Sequence, residues 1–551
     1  MSDLFYIPRK PHPLKVALAS GILLSLGWIP IGFSPLLLIA FIPLLKWEDG
    51  ILIEKSLRSG QKGNVFLWAF VAFAVFNLSR GWWVAEAAWF AILLPIFNAS
   101  LMALTFTLYH YFRMAFRPTN RTMLFFPIFW LMFEGINMNW DFNFPWLNLG
   151  NGFADTPSLI QWYSITGASG GTLWICLTNV LCTILIIDIK RYGAWLARAF
   201  AAMAIMFVPI GISCIMYWNY EPDKSKPADI VLLQPNLDPY DEQYSLSADS
   251  VTSILLSMAS KEVDEKTDYV IAPESCLQEY AWEERLSKVP SVERILQFNK
   301  DYPRLNWIAG MSTRRLLPPN VKTDAARYIQ GTDSLFYECS NVALNIGQPD
   351  KPNNLYLRRK SYLTPTVEKM PYKKYMPFLE SLALNLGGTV GTLATDSLLY
   401  CFYNNSTGIA SGVMICYESV NGDIVRIFSL IGNEVLFCIT NDGWWGDTQG
   451  YKQHKSMSRL RAIENRRYLC RAANTGISCF IDPRGNIMKE SKYWERQTLK
   501  DTIYLQKGKT FYAKHGDYIY YLTLLIFFVT ILMTALQDIK GKCGKRNRKR
   551  K

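Results

Sequence analysis

Three residues of complementary chemistry each follow an apolar, strand-like run. Glu274 ends Tyr269-Val270-Ile271-Ala272-Pro273, Cys416 ends Val413-Met414-Ile415, and a third extended stretch between them delivers Lys360. A thiol with a pKa near about 8.5 is little ionised at neutral pH, so a nucleophilic cysteine needs a base or a positive field. A carboxylate lifted by burial can remove the proton, and an ammonium can favour the thiolate and then hold the oxyanion of a tetrahedral intermediate. The pattern predicts covalent catalysis with Cys416 as nucleophile, Glu274 as base and Lys360 as oxyanion stabiliser. Each residue alone has a plainer reading. A cysteine is usually a small buried hydrophobe, a strand-end carboxylate is usually a cap, and Lys360 closes a basic triplet with Arg358 and Arg359. Lys369, Lys373 and Lys374 compete for the ammonium role on spacing alone.

The elements that must position these residues read as alternating strands and helices. Strands are expected at Ile230–Gln234, Tyr269–Ala272, Asn306–Met311, Asn341–Ile346, Ile409–Cys416, Val435–Thr440, Ile477–Ile481 and Thr502–Leu505. Their near-continuous apolar character suits strands buried on both faces. The best helix between them is Lys452–Ala472, with Met457, Leu460, Ile463 and Leu469 set among charges. The stretch Gly387–Thr392 is glycine-rich but lacks the lysine of a phosphate loop, which leaves a lid or a turn. Seven cysteines fall in this region, an odd number, so at least one thiol stays unpaired. No CxxC occurs, and four histidines without metal-ligand spacing argue against zinc.

Long hydrophobic segments surround this region. Half of the 551 residues are hydrophobic and 19% are charged, which excludes disorder and fits a membrane part joined to a water-soluble part. Apolar runs near 14–29, 31–45, 64–79, 84–112, 122–138, 168–188, 195–217 and 518–537 predict about eight transmembrane helices. The division expected is a membrane domain over 1–217, an extracytoplasmic catalytic domain over 218–516, and a final helix with a basic tail over 517–551. The net charge of +13 sits largely in alternate short loops and in the tail, including Lys540, Arg546 and Arg548. A basic run after a membrane helix marks topology and contacts anionic headgroups, so nucleic acid is not expected as a partner. By the same rule both termini are cytoplasmic and the central domain lies outside. Glu86 and Glu134 lie in or near apolar runs, where an ionisable group is either functional or interfacial.

The ordered set Glu274, Lys360, Cys416 resembles the Glu-Lys-Cys triad of the nitrilase superfamily, and Cys416-Tyr417-Glu418 looks like its nucleophile motif. Lys360-x-x-Leu363-x-Pro365-x-x-Glu368 is similar to the lysine segment of a membrane branch, the apolipoprotein N-acyltransferases. Further matches are Asn441-Asp442-Gly443-Trp444-Trp445-Gly446, Gln453-His454, Arg459-x-Arg461-Ala462-x-Glu464, Asn474-Thr475-Gly476, Phe144-Pro145-Trp146 after Glu134, and Thr510-x-Tyr512 with Gly516-Asp517. The chain departs from that pattern at Pro365-Thr366-Val367-Glu368, and 371–397 is hard to align with it. The resemblance implies a nitrilase-like αββα sandwich on the outer face of a bacterial cytoplasmic membrane. It also implies acyl transfer from a phospholipid donor to the α-amino group of a diacylglyceryl-cysteine lipoprotein, by a monomer without metal or cofactor. It gives supporting or substrate-contacting roles to Glu368, Tyr417, Glu418, Asn341, Trp444 and Trp146. Two alternatives stay open. The same triad serves a membrane-anchored amidase or nitrilase, and a transporter or receptor would leave all three residues incidental.

Overall fold

The computed structural model describes residues 12–532 except 31, 58–63, 117–118, 189–191, 320, 330, 333–334, 352–353, 373–374 and 376–390. The basic residues of both termini, Arg58, Lys62, Arg117, Lys190, Arg191, Lys373, Lys374 and residues 387–390 of the glycine-rich stretch therefore lie outside the described residues.

The first part is helical: α1 (Pro13–Gly27), α2 (Ile42–Leu57), α3 (Val65–Gly81), α4 (Leu93–Ala115), α5 (Phe126–Asn139), α6 (Tyr163–Ile187) and α7 (Tyr192–Asn219). Among the described residues three helical segments are long and apolar enough to cross a bilayer: Trp89–Ala115, Tyr163–Ile187 and Trp195–Asn219. The expected count of eight is not reached on that criterion. Apolar helices at Pro13–Gly27 and Val65–Gly81 are shorter, and at 1.5 Å per residue about 17 residues reach only about 25 Å; the apolar helix from Tyr518 runs to Leu532, the last described residue. Breaks in the sequence explain part of the difference. The apolar run near 31–45 divides between a 3-10 turn at Ser34–Leu38 and α2, and the run from 84 opens with a short helix at Val84–Ala87 before α4. Gly167 adopts φ +66° near the start of α6, where an added Cβ would lie 2.3 Å from the Tyr512 ring.

The second part is a four-layer α/β sandwich. The strands are β1 (Pro227–Gln234), β2 (Thr267–Ile271), β3 (Leu277–Trp282), β4 (Asn306–Leu316), β5 (Arg327–Tyr328), β6 (Phe336–Ile346), β7 (Leu355–Arg359), β8 (Phe402–Tyr403), β9 (Ala410–Ile415), β10 (Val435–Thr440), β11 (Leu469–Ala473), β12 (Cys479–Ile481), β13 (Ile487–Glu490) and β14 (Gln497–Tyr504). One sheet has the order β14-β1-β2-β4-β6-β5, with β3 on β4 and β7 on β6; the other runs β13-β12-β11-β10-β9-β8. The central strands β1-β2-β4 and β9-β10-β11 pair in parallel. Side chains alternate between faces. Ile230, Leu232, Ile271 and Ile308 meet Val413, Ile415, Phe437 and Ile439 between the sheets. Val231, Leu233, Val270 and Trp307 turn outward to α8 (Ala248–Ala259) and α9 (Pro290–Asn299). On the opposite side Met414, Leu436, Cys438 and Leu469 meet α10 (Gly422–Ile431) and α11 (Gln449–Asn465).

Two corrections to the sequence reading concern this domain. The helix expected over Lys452–Ala472 ends at Asn465, because Arg466 caps it in the left-handed conformation (φ +51°), and Leu469–Ala473 is strand β11. Strands β3, β5, β8 and β13 are likewise additional to those expected, and the extended stretch expected before Lys360 is β7.

Helix α11 carries the contact with the helical part. Met457, Leu460 and Ile463 belong to the same buried cluster as Trp28, Phe153 and Tyr163. Its polar side chains are used as well: Gln449 donates to the Ser79 carbonyl, Gln453 to the Arg80 carbonyl, and Arg459 pairs with Asp155 at 3.0 Å.

Candidate active site

The ends of four strands meet in one cavity of about 200 Å³. Parallel strands β2 and β4 lie side by side, and the chain leaving β2 places Glu274 over Gly310 of β4, whose missing Cβ allows the approach (an added one would lie 2.4 Å from the Ser275 nitrogen). Lys360 follows β7, its N–H donating to the Asn341 carbonyl at 2.8 Å. Cys416 follows β9 and Asn441 follows β10. Glu274, Lys360 and Cys416 all line the cavity, so the structure brings the three expected residues together.

Lys360 is buried between two carboxylates. Its Nζ donates to Glu274 Oε1 at 3.2 Å and to Glu368 Oε1 at 3.0 Å. Asn341 Nδ2 donates to the same two oxygens, at 2.7 and 3.0 Å. The Thr364 N–H holds Glu368 Oε2 at 2.9 Å, and the Asn441 N–H holds Glu274 Oε2 at 3.2 Å. Burial raises Glu274 above the ordinary carboxylate range despite the Lys360 ammonium, with Glu368 adding repulsion. Glu368 moves the other way: against the cost of burial, the Lys360 ammonium and the Thr364 N–H hold it below that range. Burial works against the Lys360 charge, but the two carboxylates raise its pKa well above the usual lysine value. Two carboxylates whose pKa values are pushed apart divide into a proton acceptor and a fixed charge. Burial, then the Glu274 charge, pushes the Cys416 thiol well above its usual range, with Lys360 opposing. The sulfur thus rests as a thiol, and the neighbouring Glu274 can receive its proton as a bond forms.

Cys416 adopts φ +50°, a left-handed conformation that costs a non-glycine residue about 1–3 kcal/mol. The turn is braced from both sides. Glu418 Oε2 accepts the Ile415 N–H at 2.7 Å, and Ser419 Oγ donates to the Cys416 carbonyl at 2.8 Å. Glu418 is buried away from the cavity, forms two hydrogen bonds with the Arg358 guanidinium and accepts the Ser361 N–H at 2.6 Å. It therefore ties the lysine segment to the nucleophile turn.

The remaining expected residues form the walls. Tyr417 stacks on Tyr362 (5.4 Å between centroids, 8° between planes), and Trp146 lies beyond it at 6.4 Å. Trp444 lines the cavity and packs against Tyr240 and Tyr244. Trp83, Val84 and Leu94, which the sequence did not single out, also line it, their signal being apolar and aromatic residues at the ends of helices in the first part; Phe144 and Trp445, quoted only within motifs, line it too. Of the competing lysines, Lys369 is partly exposed and pairs with Asp141 at 2.7 Å. Glu86 is exposed. Glu134 is buried, accepting the Leu149 N–H and the Thr172 hydroxyl, each at 2.7 Å, and the Tyr520 hydroxyl at 3.2 Å. The seven cysteines of the sandwich are free thiols.

A cysteine, a base and an ammonium set at strand ends of an αββα sandwich define a class. The family model described as carbon-nitrogen hydrolase matches residues 232–511, half of the chain, and the chain belongs to that family. A second model, the apolipoprotein N-acyltransferase N-terminal domain, matches residues 20–181. A protein from Chlorobaculum tepidum named apolipoprotein N-acyltransferase is 28% identical over 537 residues, covering 95% of this chain and 97% of that one. One of the same name from Haemophilus influenzae is 26% identical, covering 94% of each. Among solved structures, Saccharomyces cerevisiae Nit3 is 15% identical with a TM-score of 0.34, covering 51% of this chain and 90% of that one. The two matched regions and the full-length relatives place the chain in the apolipoprotein N-acyltransferase branch.

Proposed function

We propose that this protein is a membrane-embedded enzyme that takes an acyl chain from a phospholipid, carries it as a thioester on Cys416, and delivers it to the N-terminal amino group of a diacylglyceryl-cysteine lipoprotein. The observation that carries this reading is the shared cavity. The polar triad occupies one side, and Trp83, Leu94, Phe144 and Trp146 of the apolar helical part form the other. A lipid donor suits such a wall; a small polar amide does not need it.

In the first half-reaction the Cys416 sulfur attacks the ester carbonyl while its proton passes to Glu274. Lys360 balances the oxyanion of the tetrahedral intermediate. Collapse expels the alkoxide of the lysophospholipid, which takes the proton back from Glu274. In the second, the acceptor amine attacks the thioester and gives a proton to Glu274. Lys360 again holds the oxyanion, and the amide forms as the Cys416 thiolate leaves and is reprotonated. One cavity serving donor and acceptor in turn gives ping-pong kinetics. Glu368 and Asn341 hold Lys360 and Glu274 in register, while Tyr417, Trp146 and Trp444 shape the cavity. An apolar wall also keeps water from the thioester.

In this reading residues 1–217 cross the cytoplasmic membrane seven times, 218–516 stand on its periplasmic face, and 517–551 supply the eighth crossing and a cytoplasmic tail. The protein works as a monomer among membrane lipids. The test is the intact mass of purified protein incubated with phospholipid vesicles. A fatty-acyl increment on the peptide containing Cys416, absent in Cys416→Ser, is expected; an unmodified Cys416 refutes the assignment. An acceptor lipopeptide then separates transfer from hydrolysis, since an amidase-type enzyme would release free acid instead of acylating the amine.

A further inference from the structure

Beneath the nucleophile lies a buried polar chain that the reaction above does not use. His454 of α11 has Nε2 3.2 Å from the Cys416 carbonyl oxygen and 2.8 Å from Ser419 Oγ. Its Nδ1 lies 2.9 Å from Asp442 Oδ1 and 3.0 Å from an Arg471 nitrogen. Arg471 in turn donates to Asp442 Oδ2 at 2.5 Å, and the Thr440 hydroxyl donates to Oδ1 at 2.9 Å. All these side chains are inaccessible to solvent. The imidazole is held between the Trp146 and Trp445 rings, at 5.4 and 5.9 Å. The ring thus meets the backbone of the nucleophile, at the residue whose conformation is strained. A fixed carbonyl fixes the plane of the Cys416–Tyr417 peptide, and with it the direction of the side chain that precedes it.

We propose that His454, oriented by Asp442 and Arg471, is a positioning residue. Together with Ser419 it anchors the Cys416 carbonyl, and so holds the left-handed turn that aims the thiol at Glu274 and Lys360. Burial, then the Arg471 charge, keeps the imidazole below its usual pKa. The neutral ring's one N–H is then the Nε2–H on the Cys416 carbonyl and Ser419 Oγ, and Nδ1 accepts from Arg471, which Asp442 holds in place. Gln453, the neighbour of His454, accepts from Trp146 Nε1 at 2.7 Å, so consecutive residues of α11 touch the cavity wall and the nucleophile.

The proposal rests on Cys416 being the acylated residue, and its test separates the two. In full-length protein, the rate of Cys416 alkylation by iodoacetamide and the rate of Cys416 acylation by phospholipid vesicles are measured for His454→Phe and His454→Gln. Phe keeps the ring packing and loses the hydrogen bonds; Gln restores a polar group at comparable reach. His454→Phe should slow both reactions at least about tenfold, with KM for phospholipid within about twofold, as expected when a reacting atom is misaimed. His454→Gln should recover most of the loss. Alkylation of His454→Phe at the wild-type rate overturns the proposal, as does a Gln variant as slow as Phe. Should His454→Phe fail to fold, Ser419→Ala decides: slower alkylation supports the anchor and an unchanged rate refutes it. A wild-type enzyme that alkylates but never acylates Cys416 refutes the proposed function while leaving the alkylation comparison intact.

Discussion

Neutralising Glu368 should shift the pH at which Cys416 becomes reactive, and the direction is fixed by geometry. Glu274 and Glu368 share the Lys360 ammonium and the Asn341 amide through hydrogen bonds of 2.7 to 3.2 Å. Oxygens that share two donors stand roughly 4–5 Å apart, and at an effective dielectric of about 20 a unit charge at that range is worth about 3–4 kcal/mol. Glu274 accepts the thiol proton only when ionised, so reactivity rises as pH passes through its pKa, which lies above the ordinary carboxylate range because of burial and Glu368. In Glu368→Gln the Glu274 anion loses its like-charged neighbour and keeps the ammonium to itself. Its pKa must fall, and the acid limb must move to lower pH. Because carboxylate charge is spread over two oxygens, the expected displacement is at least about one pH unit, about 1.4 kcal/mol. The assay is the pH profile of Cys416 alkylation, read as a midpoint, so a lower maximal rate from a less well held Lys360 does not obscure it. A midpoint that stays in place or moves upward refutes Glu274 as the proton acceptor.

Lys360→Arg keeps the charge but not the compact ammonium, and should reduce acyl transfer about 10²–10³-fold in a single-turnover assay with an unchanged circular dichroism spectrum; a near-normal rate points to another cation. Arg358→Met leaves Glu418 buried without its partner and should cost about 3–5 kcal/mol in thermal unfolding. Adding Glu418→Gln should recover part of that stability, and strictly additive losses would contradict a coupled pair. Gly310→Ala places a Cβ 2.6 Å from the Glu274 Cα, so acyl transfer should drop about 10²-fold with the fold retained; wild-type activity would show that this loop yields.

The triad was legible because strands buried on both faces read as unbroken apolar runs, and a charged or nucleophilic residue at the end of such a run stands out. Val435–Thr440 is recovered residue for residue on this basis. Strand β11 was hidden for physical reasons. Leu-Cys-Arg-Ala-Ala has no β-branched residue, and its Arg471 is buried only because Asp442 meets its charge. The preceding helix ends on Arg466 in a conformation usually given to glycine, so nothing local marks the stop. The extended stretch before Lys360 was expected without bounds, because Arg358 and Arg359 look like a solvated patch until Glu418, Glu283 and Asp396 come into view. The apolar runs of the first part were visible, but not their division by 3-10 turns into shorter helices. His454 stands out in the sequence only as half of the Gln453-His454 pair, since its contact is with a carbonyl that no side-chain pattern reports.

Tyr417 and Val420, both in the turn that begins at Cys416, belong to the buried cluster built by the helices of the first part. The sandwich therefore does not finish its own nucleophile. The seat of Cys416 is shared between the two halves, so a change that loosens the helical part should also loosen the turn that holds the sulfur.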